Sequence, residues 1–421
     1  MIQRNSPKII INTLGLAICV SLLGDLALFA ALPVKAEMVG ISVTQVGILL
    51  GFHRIIRIPG NSIAANFINR SKRKPFFLAG MGLAVLSTAG YALAYGFWLF
   101  IVTRILWGMA WILIYITSMT ILMDVTMPQN RGKWSGVYNT WYLVGIASGS
   151  LVGGYMTDMI GFQNAMFWSA IITALGLLIF GVFVPETQQS NISGVTSTPK
   201  LYHWWQIILQ TWVKMWLHIR TVPGLGAVTV IYMINQFAGE GVAISTFSFL
   251  LMEKYGGHFS LGWVVLGIAS LGGSMIALRF TLSAILSPLL GKLSDKSLGR
   301  STVIFVGITA GIISFLIFGY AGSFGVILIG IVVNALSGSA LSVVLAATLG
   351  DLSPPGKEGE IIGVYATAGD IGSAAGPLFA YLALPLISLS SVYLVCSLLF
   401  SGCLLVAKKL RNTAVLLGAE T

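Results

Sequence analysis

Long apolar runs alternate with short polar breaks along the chain. Runs of spanning length, about 20 residues each, fall at roughly 10–31, 43–64, 76–96, 98–121, 134–157 and 164–185. A second set falls at roughly 225–252, 262–289, 302–320, 324–349, 361–382 and 386–408. A polar segment near 186–224 separates the two sets. The pattern predicts an all-α membrane protein with twelve transmembrane helices. They divide into two six-helix bundles, 1–185 and 225–421, joined by a linker over 186–224.

Composition agrees with a bilayer as the natural solvent. Of 421 residues, 56% are hydrophobic and only 9% charged, against about 25% charged in a soluble domain. Arg4 and Lys8 before an apolar run resemble the start of a signal peptide, but that run exceeds the roughly 7–15 residues of a signal core. The net charge of +11 does not point to nucleic acid, because topology distributes it. With the N-terminus in the cytoplasm, eighteen lysines and arginines fall in cytoplasmic segments. Only Lys35 and Lys254 fall on the opposite side. That asymmetry sets the orientation. It predicts a multi-pass protein of the cell (inner) membrane with both termini cytoplasmic. Cys19, Cys396 and Cys403 all lie in apolar runs without metal-ligand spacing and read as small core residues.

The linker has two parts. ETQQSNISGVTSTPK is polar. In LYHWWQIILQTWVKMWLHIR, His203, Gln206, Gln210, Lys214 and His218 recur at three- and four-residue steps, away from Trp205, Trp212 and Trp216. This spacing predicts an amphipathic helix lying in the cytoplasmic interface.

The halves repeat each other. DVTMPQNRGKWSGVY from Asp124 aligns without a gap on DLSPPGKEGEIIGVY from Asp351. The register carries Gly132, Gly136, Gly145 and Gly149 onto Gly359, Gly363, Gly372 and Gly376. Parallel repeats of this kind can rock against each other and expose a shared site to alternate sides.

At these residues the chain resembles the major facilitator superfamily of secondary transporters. GKLSDKSLGR, 291–300, is similar to that family's Gly-x-Leu-Ala-Asp-Arg-x-Gly-Arg-Arg loop, with one extra residue. The first-half copy, ANFINRSKRK at 65–74, departs from it, with Ala65 for Gly, Asn69 for Asp and Lys72 for the second Gly. The resemblance implies a cytoplasmic gate at Asn69, Arg70, Gly291, Asp295, Gly299 and Arg300. RILWG, 104–108, resembles the family's Arg-x-x-x-Gly motif. GIASGSLVGG, 145–154, resembles the glycine motif of the antiporter branch, with Ser150 in place of Pro, and GSAAGPLFAY, 372–381, keeps Pro377. Gly145, Gly149 and Gly153 share one helix face, as do Gly372 and Gly376, and small residues there let backbones approach in a bilayer.

Charges inside the spans are candidate functional groups, because an unpaired charge in hydrocarbon is costly. They are Asp25, Arg54, Arg57, Arg104, Glu240, Arg279 and Asp370. Arg54 aligns with Arg279 in the repeat, and each half carries one acid on its first span. Asp25 has three readings: an ion pair with Arg104 or Arg54, a proton-coupling carboxylate, or a binding group for a cationic substrate. In antiporters of the superfamily, an acid on span 1 near the span-4 arginine recurs. Arg54 and Arg279 resemble the anion clamp of the superfamily's nitrate and organic-anion carriers, and forked guanidinium donors suit that role. His53 reads as a helix-lining or packing residue. Asp124 and Asp351 read as helix-terminal charges paired with basic loops, and Asp158 as a loop residue.

The expected function is secondary active transport of a small molecule by alternating access, first as proton-coupled antiport exporting amphipathic compounds. An anion carrier working through Arg54 and Arg279 is the alternative. A non-transporting membrane sensor on the same fold is a third reading, supported only by the degenerate first loop. No enzyme signature and no nucleotide-binding glycine loop occur in the sequence. No cofactor or metal is expected; the expected partners are substrate, protons and lipid, with the chain a monomer.

Overall fold

A computed structural model describes residues 6–68, 71–127, 129–187, 213, 216–261, 264–296, 298–354 and 357–416. Among them are twelve helices of spanning length. The first six are α1 Pro7–Lys35, α2 Val43–Ile68, α3 Arg73–Leu93, α4 Phe97–Val125, α5 Arg131–Ile160 and α6 Phe162–Phe183. The second six are α7 Leu225–Tyr255, α8 Ile268–Lys296, α9 Arg300–Tyr320, α10 Phe324–Leu352, α11 Glu358–Ala383 and α12 Leu389–Leu416. Ten of the twelve are long and apolar enough to cross a bilayer by length and composition. The chain is an all-α membrane protein, and each apolar run of the sequence lies wholly or mainly on a helix.

Two local departures matter. The run beginning near 262 is not helical at its start. His258–Leu261 and Val264–Gly267 form an antiparallel hairpin, with Leu261 opposite Val264. Span 8 therefore begins at Ile268 and runs on to Lys296, through the first half of GKLSDKSLGR. Within α7, Gln236–Ala243 is wound as a π-helix between two α-helical segments. Its sequence, QFAGEGVA, is small and glycine-bearing, which permits the wider turn and close neighbours. The interfacial helix expected at 201–220 lies largely outside the described residues.

The chain clusters into two compact units, Met1–Ile208 with Phe247–Ala277 and Leu209–Thr246 with Leu278–Thr421. In the first unit α1 is buried almost all round. It packs along α5, where a Cβ on Gly145 would stand 2.8 Å from the Cys19 Cα and one on Gly149 would stand 3.1 Å from the Leu22 carbonyl. Helix α3 packs on α4 and α6, with Phe77 and Phe180 ring centroids 4.0 Å apart. In the second unit α9 packs on α10 and α12, with Phe315 against Phe400 at 5.9 Å. Helix α11 lies against the π-helical stretch of α7, where a Cβ on Gly241 would stand 2.7 Å from the Gly376 Cα and 3.2 Å from the Pro377 Cδ. Between membrane helices such backbone approach is the main source of packing energy, since lipid is as apolar as leucine.

Candidate functional site

Arg104 is the most enclosed charge of the first unit, with no exposed surface. Its guanidinium ties four helices together. Nη1 donates to Asp25 Oδ1 on α1 at 2.5 Å and to the Tyr91 hydroxyl on α3 at 3.0 Å. Nε donates to the Leu49 carbonyl on α2 at 2.8 Å. Nη2 meets His53 Nδ1, also on α2. Arginine only donates, so His53 Nδ1 accepts, and the ring carries its proton on Nε2. His53 is buried and stacks edge-on to Phe29 of α1, with centroids 6.3 Å apart. It belongs to the charged cluster and is not merely a packing residue. A lone histidine beside Arg54 gave no sign of this in the sequence; its register three residues before Ile56, against Gly108 of α4, sets it there.

The local sequence explains the placement. Gly24 and Gly108 remove side chains where Thr88 and the His53 carbonyl come close. Span 1 therefore approaches span 3, and span 2 approaches span 4, near Asp25 and Arg104. The Asp25 side chain keeps 8% of its surface exposed while Arg104 keeps none. The acid is thus the slightly more accessible member of a buried pair.

The second unit carries a different cluster. Arg279 on α8, 3% exposed, donates through Nη1 to Glu240 Oε1 at 3.1 Å and through Nε to Asn334 Oδ1 on α10 at 2.7 Å. Asn334 Nδ2 passes the chain on to Ser314 Oγ of α9 at 3.2 Å. Glu240 lies in the π-helical stretch with 22% of its side chain exposed. Gly239 and Gly338 flank the guanidinium, and a Cβ at either would crowd Nη2 at 3.0 and 3.2 Å.

The remaining candidates are Arg54 and Arg57, which follow His53 on α2, and Asp370 on α11. Arg54 is half-buried on α2 with no acid partner among the described residues. The Arg57 guanidinium stands 6.0 Å from the Trp111 ring centroid, and Trp111 adjoins Trp107, Tyr115 and Tyr142. Asp370 is buried on α11. Arg279 is engaged by Glu240, and Asp25 by Arg104.

At the loops between spans 2 and 3 and spans 8 and 9, the repeat is visible as matched ion pairs. Arg73 holds Asp124 at 3.2 Å, and Arg300 holds Asp351. Each member of the second pair stands 227 positions after its counterpart. Asp295 lies in the last turn of α8, 3.9 Å from Arg300. Gly299 takes φ 74°, a left-handed conformation that favours glycine, just before α9 begins. A Cβ on Gly291 would meet Val343 at 3.3 Å. Asn69 and Arg70 lie outside the described residues. Asp158 is not in a loop: it ends α5, where Oδ2 accepts from the Ser270 backbone N–H and hydroxyl, each at 2.7 Å.

Twelve helices of spanning length, ten of them apolar enough to cross a bilayer, with ion pairs buried inside the spans, are the frame of a membrane carrier. The chain belongs to the Major Facilitator Superfamily, whose family model matches residues 14–282 and 270–415. It is a transporter of that superfamily and not an enzyme. The mouse major facilitator superfamily domain-containing protein 10 is 23% identical over 370 residues, covering 85% of this chain and 76% of that protein. The class H tetracycline resistance protein of Pasteurella multocida is 23% identical over 346 residues, covering 80% and 79%. Among solved structures, a bacterial homolog of the human lysosomal transporter Spinster, inward-facing and occupied, superposes with a TM-score of 0.73 at 15% identity, covering 96% of both chains. The human organic anion transporter MFSD10 does so with a TM-score of 0.67 at 17% identity, covering 96% of this chain and 99% of that one. At these identities the superpositions speak for the fold.

Proposed function

We propose that this chain is a proton-coupled antiporter exporting a small amphipathic molecule, with Asp25 as the proton carrier. The buried Asp25–Arg104 pair carries this reading. Protonating Asp25 removes the ionic contact, one of four made by the Arg104 guanidinium, and leaves Leu49, His53 and Tyr91 in place. The arginine stays on α2, α3 and α4, while α1 loses its tether. A proton thus acts on one helix of the bundle, and the partial exposure of Asp25 gives it a route in. Buried pairs suit such a switch, because removing one partner charge costs several kcal/mol. The similarity to tetracycline resistance proteins supports export of an amphipathic compound.

A second reading has one observation in its favour. Arg54 is a half-buried cation in a span without an acid partner among the described residues, and a charge so placed calls for an anion. The anion carrier would then rest on Arg54, with Arg279 taken up by Glu240. The fold shared with an organic anion transporter is compatible with it.

Proteoliposomes loaded with a pH dye separate the two. Lipophilic cations, sugars, small anions and organic acids are added one at a time. A proton response to lipophilic cations that Asp25→Asn abolishes is expected of the antiporter. A response to anions alone, lost in Arg54→Gln and kept in Asp25→Asn, would replace it with the anion carrier.

A further inference from the structure

Asp158 does for α8 what an N-cap residue does within its own helix. A helix start leaves four backbone N–H groups without intrahelical partners. Ser270 is the third residue of α8, and both its N–H and its hydroxyl donate to Asp158 Oδ2 at 2.7 Å. The carboxylate also sits against the positive end of the helix dipole. Lys35, at the end of α1, approaches Oδ1 to 4.0 Å. Ser270 is 6% exposed and the Asp158 side chain 14%. Solvent is therefore largely excluded, and hydrogen bonds to a charged group are stronger there.

The surroundings are shaped for this contact. A Cβ at Gly267 would overlap the Asp158 carboxyl. One turn deeper, Gly154 lies against the Ala269 backbone, and Gly273 lies against the Ser150 backbone and Ala30. Three glycines thus bring α5 and the first turns of α8 into backbone contact, with the carboxylate at the rim. The hairpin His258–Gly267 delivers the chain into α8 at this point. By the lysine and arginine distribution this is the outer end of both spans.

We propose that Asp158, Ser270 and Gly267 form an outer latch that holds α5 to the start of α8 and is released each time the transport site opens outward. The latch rests on transport by alternating access and is independent of whether protons drive it. It assigns to the outer side a device of the same physical kind as a carboxylate-capped helix at a cytoplasmic loop. In the released state water satisfies the Ser270 N–H, so the latch biases the equilibrium without preventing opening.

The test uses full-length protein in lipid, spin-labelled at exposed positions Met159 and Val265. Distance distributions read the closed and released populations. Asp158→Ala is expected to raise the released-to-closed ratio about tenfold, the equivalent of roughly 1.4 kcal/mol and within the range for a lost charged hydrogen bond. Ser270→Ala, which keeps the backbone bond, is expected to raise it about threefold. If Asp158→Ala proves poorly folded, Ser270→Ala decides. Distributions unchanged from wild type, or shifted toward the closed population, overturn the latch. Loss of proton coupling in Asp25→Asn with an intact latch response would leave this inference standing.

Discussion

The two repeated halves place an arginine inside the membrane and then treat it differently. In the first unit the buried arginine is on span 4, and Arg104 binds Asp25, Tyr91, His53 and the Leu49 carbonyl. The position 227 residues later is Ile331, an apolar residue. In the second unit the arginine is on span 8, and Arg279 binds Glu240 and Asn334. Its counterpart in the first half, Arg54, has no acid partner among the described residues. The first cluster ties four helices around an almost enclosed acid. The second leans on a π-helical stretch and leaves its acid more exposed, 22% against 8%. The halves share a sequence register but not their buried charges. On the proposed reading, enclosure suits the first pair to switching, because a proton there would remove an interaction that water replaces poorly.

The largest effect that follows is on Arg104. Arg104→Gln leaves the Asp25 carboxylate uncompensated and is expected to cost about 3–5 kcal/mol, seen as a strong fall in Tm in detergent. Combining it with Asp25→Asn removes the stranded charge and should restore most of that loss without restoring transport. If the double variant is as unstable as the single, the stranded Asp25 charge is not the source of the loss.

Arg279→Lys keeps the charge but cannot satisfy Glu240 and Asn334 with one planar fork. An intermediate loss of about 1–3 kcal/mol is expected, smaller than for Arg104 because Glu240 reaches solvent. A loss equal to that of Arg104→Gln would erase the contrast between the units.

The smallest effect belongs to the matched loop pairs. Arg73→Ala and Arg300→Ala each break a bond to the aspartate at the end of span 4 or span 10, Asp124 or Asp351. Partly exposed pairs of this kind contribute about 1 kcal/mol or less. Arg73 is the more buried of the two, and its Nη1 also donates to the Ile68 and Ser71 carbonyls, so its replacement should be the more costly. Thermal melts of the two single variants order them.

The fold was legible because bilayer thickness fixes the length of each apolar run, and because charge asymmetry and glycine register repeat over long distances. Asp25 and Arg104 were legible as candidates for the same reason: few charges lie in the spans, and they must find partners. Which acid meets which arginine was not, since that depends on helix rotation. The alignment of Arg54 with Arg279 suggested equivalent roles, yet only Arg279 lies beside its own half's acid. The hairpin at 258–267 was hidden because HFSLGWVVLG reads as the apolar start of a span, and a short apolar run does not distinguish strand from helix. The π-helical turn holding Glu240 follows from packing against Gly376 and Pro377, residues more than a hundred positions away.

The central claim is that Asp25 carries the coupled proton, and the split between driven transport and exchange tests it most directly. Once a substrate is found, Asp25→Asn is reconstituted and assayed twice, by uptake driven by a pH gradient and by counterflow without one. The account predicts that the gradient-driven signal falls to background while counterflow persists. Gradient-driven transport at wild-type rates in Asp25→Asn would contradict it and leave the Asp25–Arg104 pair as a structural tie between α1 and its neighbours.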